Sequence, residues 1–322
     1  RCKRDCKQRG MRSLSIFKGK RMKPQAIMIL FVWVFFRLLG SGALGAEPVQ
    51  VMVSIPPQAY FVNKIAGDVA AVSVMIPGGA NPATYEPRPT QMTALTRSRL
   101  YFAIGVPFEK AWLQKFAGIN PHMRIVHTDQ GIQKRSLRVH LQKSAPKSTR
   151  HGQNSSIGSG KDPHIWLSPP LVKQIAHHMT EALVSVDPEH REPYERNLKA
   201  FVLELDRVDT RIREILDIKG AKRSEILVFH PSWGYFSDRY HLRQVSIEAE
   251  GKAPSVKEMV HLTRYARKLG INCVFVQPQF SKKSAEAMAR QLGARVVMVD
   301  PLSADWKENL LQVAEAFARS LR

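Results

Sequence analysis

Apolar residues recur along this chain in two alternating modes: short runs bounded by turn residues, and longer stretches with helical spacing. The run Val49 to Ile55 reads as a strand, and Tyr60, Phe61, Ile65 and Ala66 after it continue at helical spacing. A second strand, Ala71 to Ile76, ends in Pro77-Gly78-Gly79; a helix over Pro89 to Arg97 and a third strand at Leu100 to Ile104 follow. Farther on, strands at Glu225 to Phe229, Ile271 to Val276 and Arg295 to Val299 alternate with helices at Ser255 to Leu269, Ser281 to Leu292 and Asp305 to Leu321. Strands alternating with helices over short connections predict parallel sheets built from βα units.

Between these sets, Tyr194, Leu198, Phe201, Leu205, Val208, Ile212 and Ile215 recur at spacings of four and three. They put one apolar stripe on a helix of about 28 residues, roughly 42 Å long. The fold class is therefore α/β, with two lobes joined by one long rigid helix. The expected divisions are a leader and signal peptide at 1–46, a first lobe at 47–189, the linking helix at 190–218 and a second lobe at 219–322. Within the first lobe the periodicity fails from about Thr128 to Lys161, a basic stretch rich in Ser, Gly and Gln that reads as a disordered surface loop. No internal sequence repeat is strong enough to make the lobes duplicates. A stiff helix between lobes predicts that ligand release depends on small shifts rather than wide hinge closure.

Charge changes this picture only at the N-terminus. The chain of 322 residues carries 49 Lys and Arg against 27 Asp and Glu, a formal net charge of +22. Eleven of the bases and one acid fall within residues 1–46, so the remainder carries a net +12 spread among many acids. No arginine-rich run with interleaved aromatics appears, and nucleic acid is not an expected partner. Met22-Lys23, the apolar stretch Ala26 to Phe36 and the small residues Gly40 to Ala46 have the three-part layout of a cleavable export signal. Cleavage is expected after Gly45 or Ala46, and residues 1–21 are set aside from fold reasoning. Cys2 and Cys6 lie in this leader, and Cys273 sits in an apolar run as packing. No cysteine near the cleavage region supports a lipid anchor, so the expected compartment is the periplasm.

In open parallel sheets, ligands collect beyond the carboxyl ends of strands. His230 directly follows one strand, Asp300 another, and Asn81 to Glu86 follow the strand ending at Ile76; His164 leads into the helix start Ser168-Pro169-Pro170. Imidazoles with a carboxylate suit zinc and accept manganese or iron. His177 and His178 point about 100° apart on a helix and read as surface residues. No His-Glu-x-x-His helix, Gly-x-Ser-x-Gly elbow or phosphate loop suggests an enzyme.

Five segments carry a resemblance: Ser54-Ile55-Pro56-Pro57, Gly79 to Pro87, Asp162 to Pro169, Phe229 to Phe236 and Val299-Asp300-Pro301-Leu302. In this order they resemble the TroA-like zinc and manganese solute-binding proteins of ABC importers. The likeness runs from about Val49 to the end of the chain. It implies a periplasmic, non-enzymatic, monomeric protein that passes a divalent metal (Zn2+, alternatively Mn2+ or Fe2+) to a membrane permease. A metallochaperone or adhesin on the same fold is the alternative. The resemblance also implies that His164, His230 and Asp300 are metal ligands between the lobes. This chain departs from the family at Ala83, where a histidine is usual. A three-ligand site completed by water or Glu86 is expected, with Glu248 or Glu250 as other candidates. The inserted loop holds only His140 and His151 among many Lys and Arg, so metal capture by it is not expected.

Overall fold

The computed structural model describes residues 47–137, 160–218, 224–248 and 255–322. The leader with its signal, most of the basic loop including His140 and His151, and Glu250 lie outside the described residues. In the first lobe the strands are β1 (Val49–Val53), β2 (Ala70–Val74), β3 (Leu100–Ala103) and β4 (Arg124–His127). They pair in parallel in the order β2-β1-β3-β4. In the second lobe β5 (Glu225–Val228), β6 (Arg243–Ser246), β7 (Cys273–Val276) and β8 (Arg295–Met298) pair in parallel in the order β6-β5-β7-β8. Counted from each lobe's own first strand, both orders are 2-1-3-4. The lobes therefore share a topology that their sequences do not advertise as a repeat. In each, the strand order reverses beside the first strand, and its carboxyl end opens a crevice.

The helices are α1 (Pro56–Ala66), α2 (Pro89–Arg97), α3 (Pro107–Ile119), α4 (Pro169–Val186), α5 (Arg191–Leu216), α6 (Gly234–Arg239), α7 (Val256–Lys268), α8 (Lys282–Leu292) and α9 (Trp306–Leu321). Prolines in the first turns of α1, α2, α3 and α4 start these helices, where a missing N–H costs nothing. The long helix α5 has 26 residues. Tyr194, Leu198, Phe201, Leu205, Val208 and Ile212 are buried along it, and Ile215 is partly buried.

One continuous core runs from β1 and β3 through α5 and α9 to Val228 of β5 and Phe275 of β7. A smaller core fills the outer face of the second sheet, with Leu227, Phe229, Val274 and Val276 facing Leu262, Ala266, Ala285 and Ala289. Alternate residues of β5 and β7 thus serve the two cores, as the period of two requires. Pro48–Arg322 accordingly forms one compact unit. Among the described residues no helix is long and apolar enough to cross a membrane.

Side chains bolt α5 to both lobes. On the first, Glu204 accepts from Tyr60 Oη at 2.7 Å and Lys64 Nζ at 2.8 Å, and Asn197 donates to the Ile65 carbonyl. On the second, buried Asp209 accepts from Arg239 Nε at 2.9 Å, Arg239 Nη2 at 2.6 Å and Tyr240 Oη at 3.0 Å, and also pairs with Arg213. Burial alone would push the Asp209 carboxyl up. The Arg239 and Tyr240 bonds with the Arg239 and Arg213 charges outweigh it and hold the group below the usual carboxylate range.

Candidate metal site

His164 lies on a strap running from Lys161 into a short 3₁₀ turn, Ile165–Leu167, just before α4. Asp162 before the histidine and Ile165, Trp166 and Leu167 after it are all buried, so the strap is pinned on both sides of the histidine's chain position. Asp162 Oδ1 accepts from the His164 backbone N–H at 3.0 Å and meets His164 Nδ1 at 2.7 Å. A carboxylate can only accept, so Nδ1 carries the proton and Nε2 keeps its lone pair. Burial holds the His164 imidazole below its ordinary pKa, with Asp162 opposing and nearby His230 adding to the drop. A neutral ring is the form that binds a metal.

His230 stands two residues beyond the end of β5, at the crevice of the second sheet. Gln277, fully buried beyond β7, accepts from the His230 N–H at 3.3 Å and donates to the His230 carbonyl at 2.9 Å. Phe280 lies against the ring, centroids 5.0 Å apart and planes 30° apart. Glu248, beyond β6, approaches Nδ1 with its two oxygens at 3.4 and 3.3 Å. The first lobe holds its own crevice similarly, with Gln58 Oε1 accepting from the Ser54 and Ile55 N–H groups and Gln58 Nε2 donating to the Phe102 carbonyl.

The two imidazoles face each other across the lobes with centroids 5.6 Å apart and planes at 72°. Two histidines bound through Nε2 to one tetrahedral zinc, with Zn–N of about 2.0–2.1 Å, place their centroids about 5.2 Å apart. The pair is therefore spaced for a shared ion with little movement. Asp300 follows β8 and is held at one oxygen: Oδ1 accepts from Gln279 Nε2 at 2.8 Å and the Leu302 N–H at 2.9 Å. Its neighbour Pro301 accepts from Trp166 Nε1 at 2.7 Å, which stitches the Asp300 segment to the His164 strap.

Among the described residues, no three His, Cys, Asp or Glu side chains are gathered tightly enough to form a ready-made metal cluster. Glu86 is exposed on the segment between β2 and α2, as is Ala83, whose N–H donates to Asn81 Oδ1 at 2.9 Å. The structure thus brings His164 and His230 together, ties the Asp300 segment beside them, and leaves Glu86 on the surface.

Two expectations change. His178 is not a plain surface residue: its Nδ1 bonds the Thr128 carbonyl at 3.0 Å, which ties α4 to the segment after β4, whereas His177 is exposed. The failed periodicity after Thr128 does not mean disorder at the described ends. Ser136 bridges Lys161, the Leu137 N–H donates to the Gly160 carbonyl, and the Asp162 N–H donates to the Arg135 carbonyl.

A family model described as the periplasmic zinc-uptake complex component A, ZnuA, matches residues 51–322. The chain belongs to this family. Among the relatives of this ZnuA-family protein, the high-affinity zinc uptake system protein ZnuA of Bacillus subtilis is 26% identical over 275 residues, covering 84% of this chain and 83% of its own. The protein of the same name from Brucella abortus is 25% identical over 300 residues, covering 83% and 88%. A crystal structure of ZnuA superposes with a TM-score of 0.76 at 40% identity, covering 86% of this chain and all of its own. A ZnuA deletion mutant with zinc bound gives the same TM-score and identity, covering 85% and 98%. The family is one of periplasmic solute-binding proteins of ABC metal uptake systems, as the sequence resemblance implied.

Proposed function

We propose that this ZnuA-family protein captures a divalent transition metal between its lobes, zinc foremost with manganese or iron as the alternatives, and delivers it to the permease of an ABC importer. His164, His230 and Asp300 are its ligands, and water takes the remaining position. The observation that carries this reading is the facing pair of imidazoles, 5.6 Å apart, each with a buried carboxylate at Nδ1. Asp300 supports it, since Oδ1 is held by Gln279 and the Leu302 N–H, and Oδ2 has no hydrogen-bond partner among the described residues. Glu86 is exposed and has no hydrogen bond or ion pair with either histidine among the described residues, so water is preferred over it. Two neutral nitrogens with one carboxylate give a borderline donor set that favours zinc over harder cations.

The test is a calorimetric titration of the metal-stripped protein with zinc and with manganese. One zinc should bind per chain, more tightly than manganese, and binding should vanish in the His164→Ala/His230→Ala protein. Delivery is read in cells: deleting the gene should arrest growth under zinc chelation, and added zinc should restore it. A wild-type protein that binds no metal would overturn the reading.

A further inference from the structure

We infer that Asp162 and Glu248 are a matched pair of positioning residues, each fixing one cleft histidine as the Nδ1–H tautomer so that both rings present Nε2 to the ion. The inference rests on the metal-binding reading above and adds what holds the ligands in place.

Asp162 and Glu248 come from different lobes and different local structures, yet occupy equivalent places. Each is buried, 2% and 3% exposed, and each meets the Nδ1 of its histidine. Asp162 reaches back along its own strap and holds both the N–H and the ring of His164. Glu248 comes from beyond the edge strand β6, anchored by its N–H to the Phe229 carbonyl at 2.9 Å. A buried carboxylate oxygen without a donor is costly, and Glu248 Oε2 has no hydrogen-bond partner among the described residues. Oε1 holds the hydrogen bond to His230 Nδ1 at 3.4 Å, Oε2 lies 3.3 Å from the same nitrogen, and a proton there is what answers the charge of the carboxylate.

The rest of the His230 environment leaves the tautomer undecided. Gln277 fixes the backbone and Phe280 covers the ring, but neither distinguishes one ring nitrogen from the other. Glu248 does. Its place behind the ring also argues against its being the missing ligand. An ion held at Nε2 by a bond of about 2.1 Å lies on the opposite side of the imidazole from a carboxylate at Nδ1. Outer carboxylates of this kind raise the basicity of a ligand histidine, and losing one weakens metal binding by about 10–100-fold.

The experiment uses the whole protein with 15N-labelled histidine. Long-range 15N–1H spectra of the metal-free form should show His164 and His230 as Nδ1–H tautomers. Glu248→Ala should move His230 toward Nε2–H while leaving His164 unchanged, and should weaken zinc by about 10–100-fold in competition with a fluorescent chelator. Glu248→Gln keeps an acceptor oxygen, so it should preserve the tautomer and lose less than about tenfold. It also carries the test if the alanine variant does not fold. Glu248→Ala with an unchanged His230 tautomer and zinc affinity within about twofold of wild type overturns the inference. Equal and near-complete loss of binding in both variants also overturns it, by making Glu248 a ligand. Zinc binding that survives His230→Ala would instead overturn the metal-site reading, so the two failures are distinct.

Discussion

Trp306→Phe tests whether the two lobes behave as one body. The Trp306 side chain, 1% exposed, packs against Phe61 at 5.3 Å and Tyr60 at 6.0 Å between ring centroids, and its Nε1 donates to the Trp166 carbonyl at 2.7 Å. Trp166 in turn donates to the Pro301 carbonyl, so the two indoles close a loop of bonds between the His164 strap and the second lobe. Phenylalanine keeps much of the ring packing but cannot donate. The buried carbonyl left without its partner costs about 1–3 kcal/mol. The space vacated by the larger indole adds about 1–2 kcal/mol, because neighbours relax only partly. The expected loss is about 2–5 kcal/mol, a large share of the stability of an ordinary domain.

Urea unfolding followed by circular dichroism reads this directly. The wild type should unfold in one transition, because a single core passes from the first sheet through α5 and α9 into the second. Trp306→Phe should lower the midpoint with an unchanged slope. A loss below about 0.5 kcal/mol, the range of surface substitutions, would refute the reasoning. So would two separate wild-type transitions, since the lobes would then not share their core.

Four further outcomes follow from named contacts. A Cβ on Gly234 would lie 2.6 Å from Arg135 Nη1 and 2.7 Å from Asp162 Oδ2, so Gly234→Ala should cost about 1–3 kcal/mol in thermal melts and weaken zinc through His164. Asp209, held below an unfolded value of about 3.9, contributes stability that is present above that pH and lost as pH falls through its folded value. The gap between wild type and Asp209→Asn, about 2 kcal/mol at pH 7, should therefore close as pH falls below about 4 in urea titrations. Ala83→His should tighten zinc at least about tenfold in chelator competition by supplying a first-lobe donor; unchanged affinity would mean that position faces away from the ion. Small-angle scattering with and without zinc should show no change in radius of gyration beyond error, since α5 is bolted to both lobes.

The sequence disclosed those parts of the molecule whose signal is local. Central strands such as β1, β5 and β7 are buried on both faces and read as apolar runs, and the stripe on α5 repeats long enough to be unmistakable. The strands it did not disclose, β4 and β6, are edges of their sheets. Arg124 and His127 are exposed in β4 and Arg243 in β6, so neither gives a continuous apolar run. The edges β2 (AAVSV) and β8 (RVVM) are legible because alternate or adjacent valines survive in them. By contrast, β6 (RQVS) keeps a single apolar residue, and β4 (RIVH) is four residues long with a charged or polar residue at each end. Helix α6, six residues long, is too short to show a period, whereas α3 carries Phe108, Trp112 and Phe116 at a spacing of four, a legible signal that went unread. The site divides in the same way. His164, His230 and Asp300 stand at strand ends or a helix start, which a sequence can show. Asp162 is within two residues of its histidine and was visible in the Asp162-Pro163-His164 segment, though not its bond to Nδ1. Glu248 and Gln277 reach His230 from 18 and 47 residues away, across neighbouring strands. No spacing rule connects them. Only the parallel order β6-β5-β7 puts the ends of those strands side by side, and it is there that Glu248, a candidate ligand from the sequence, becomes the buried partner of the His230 ring at Nδ1.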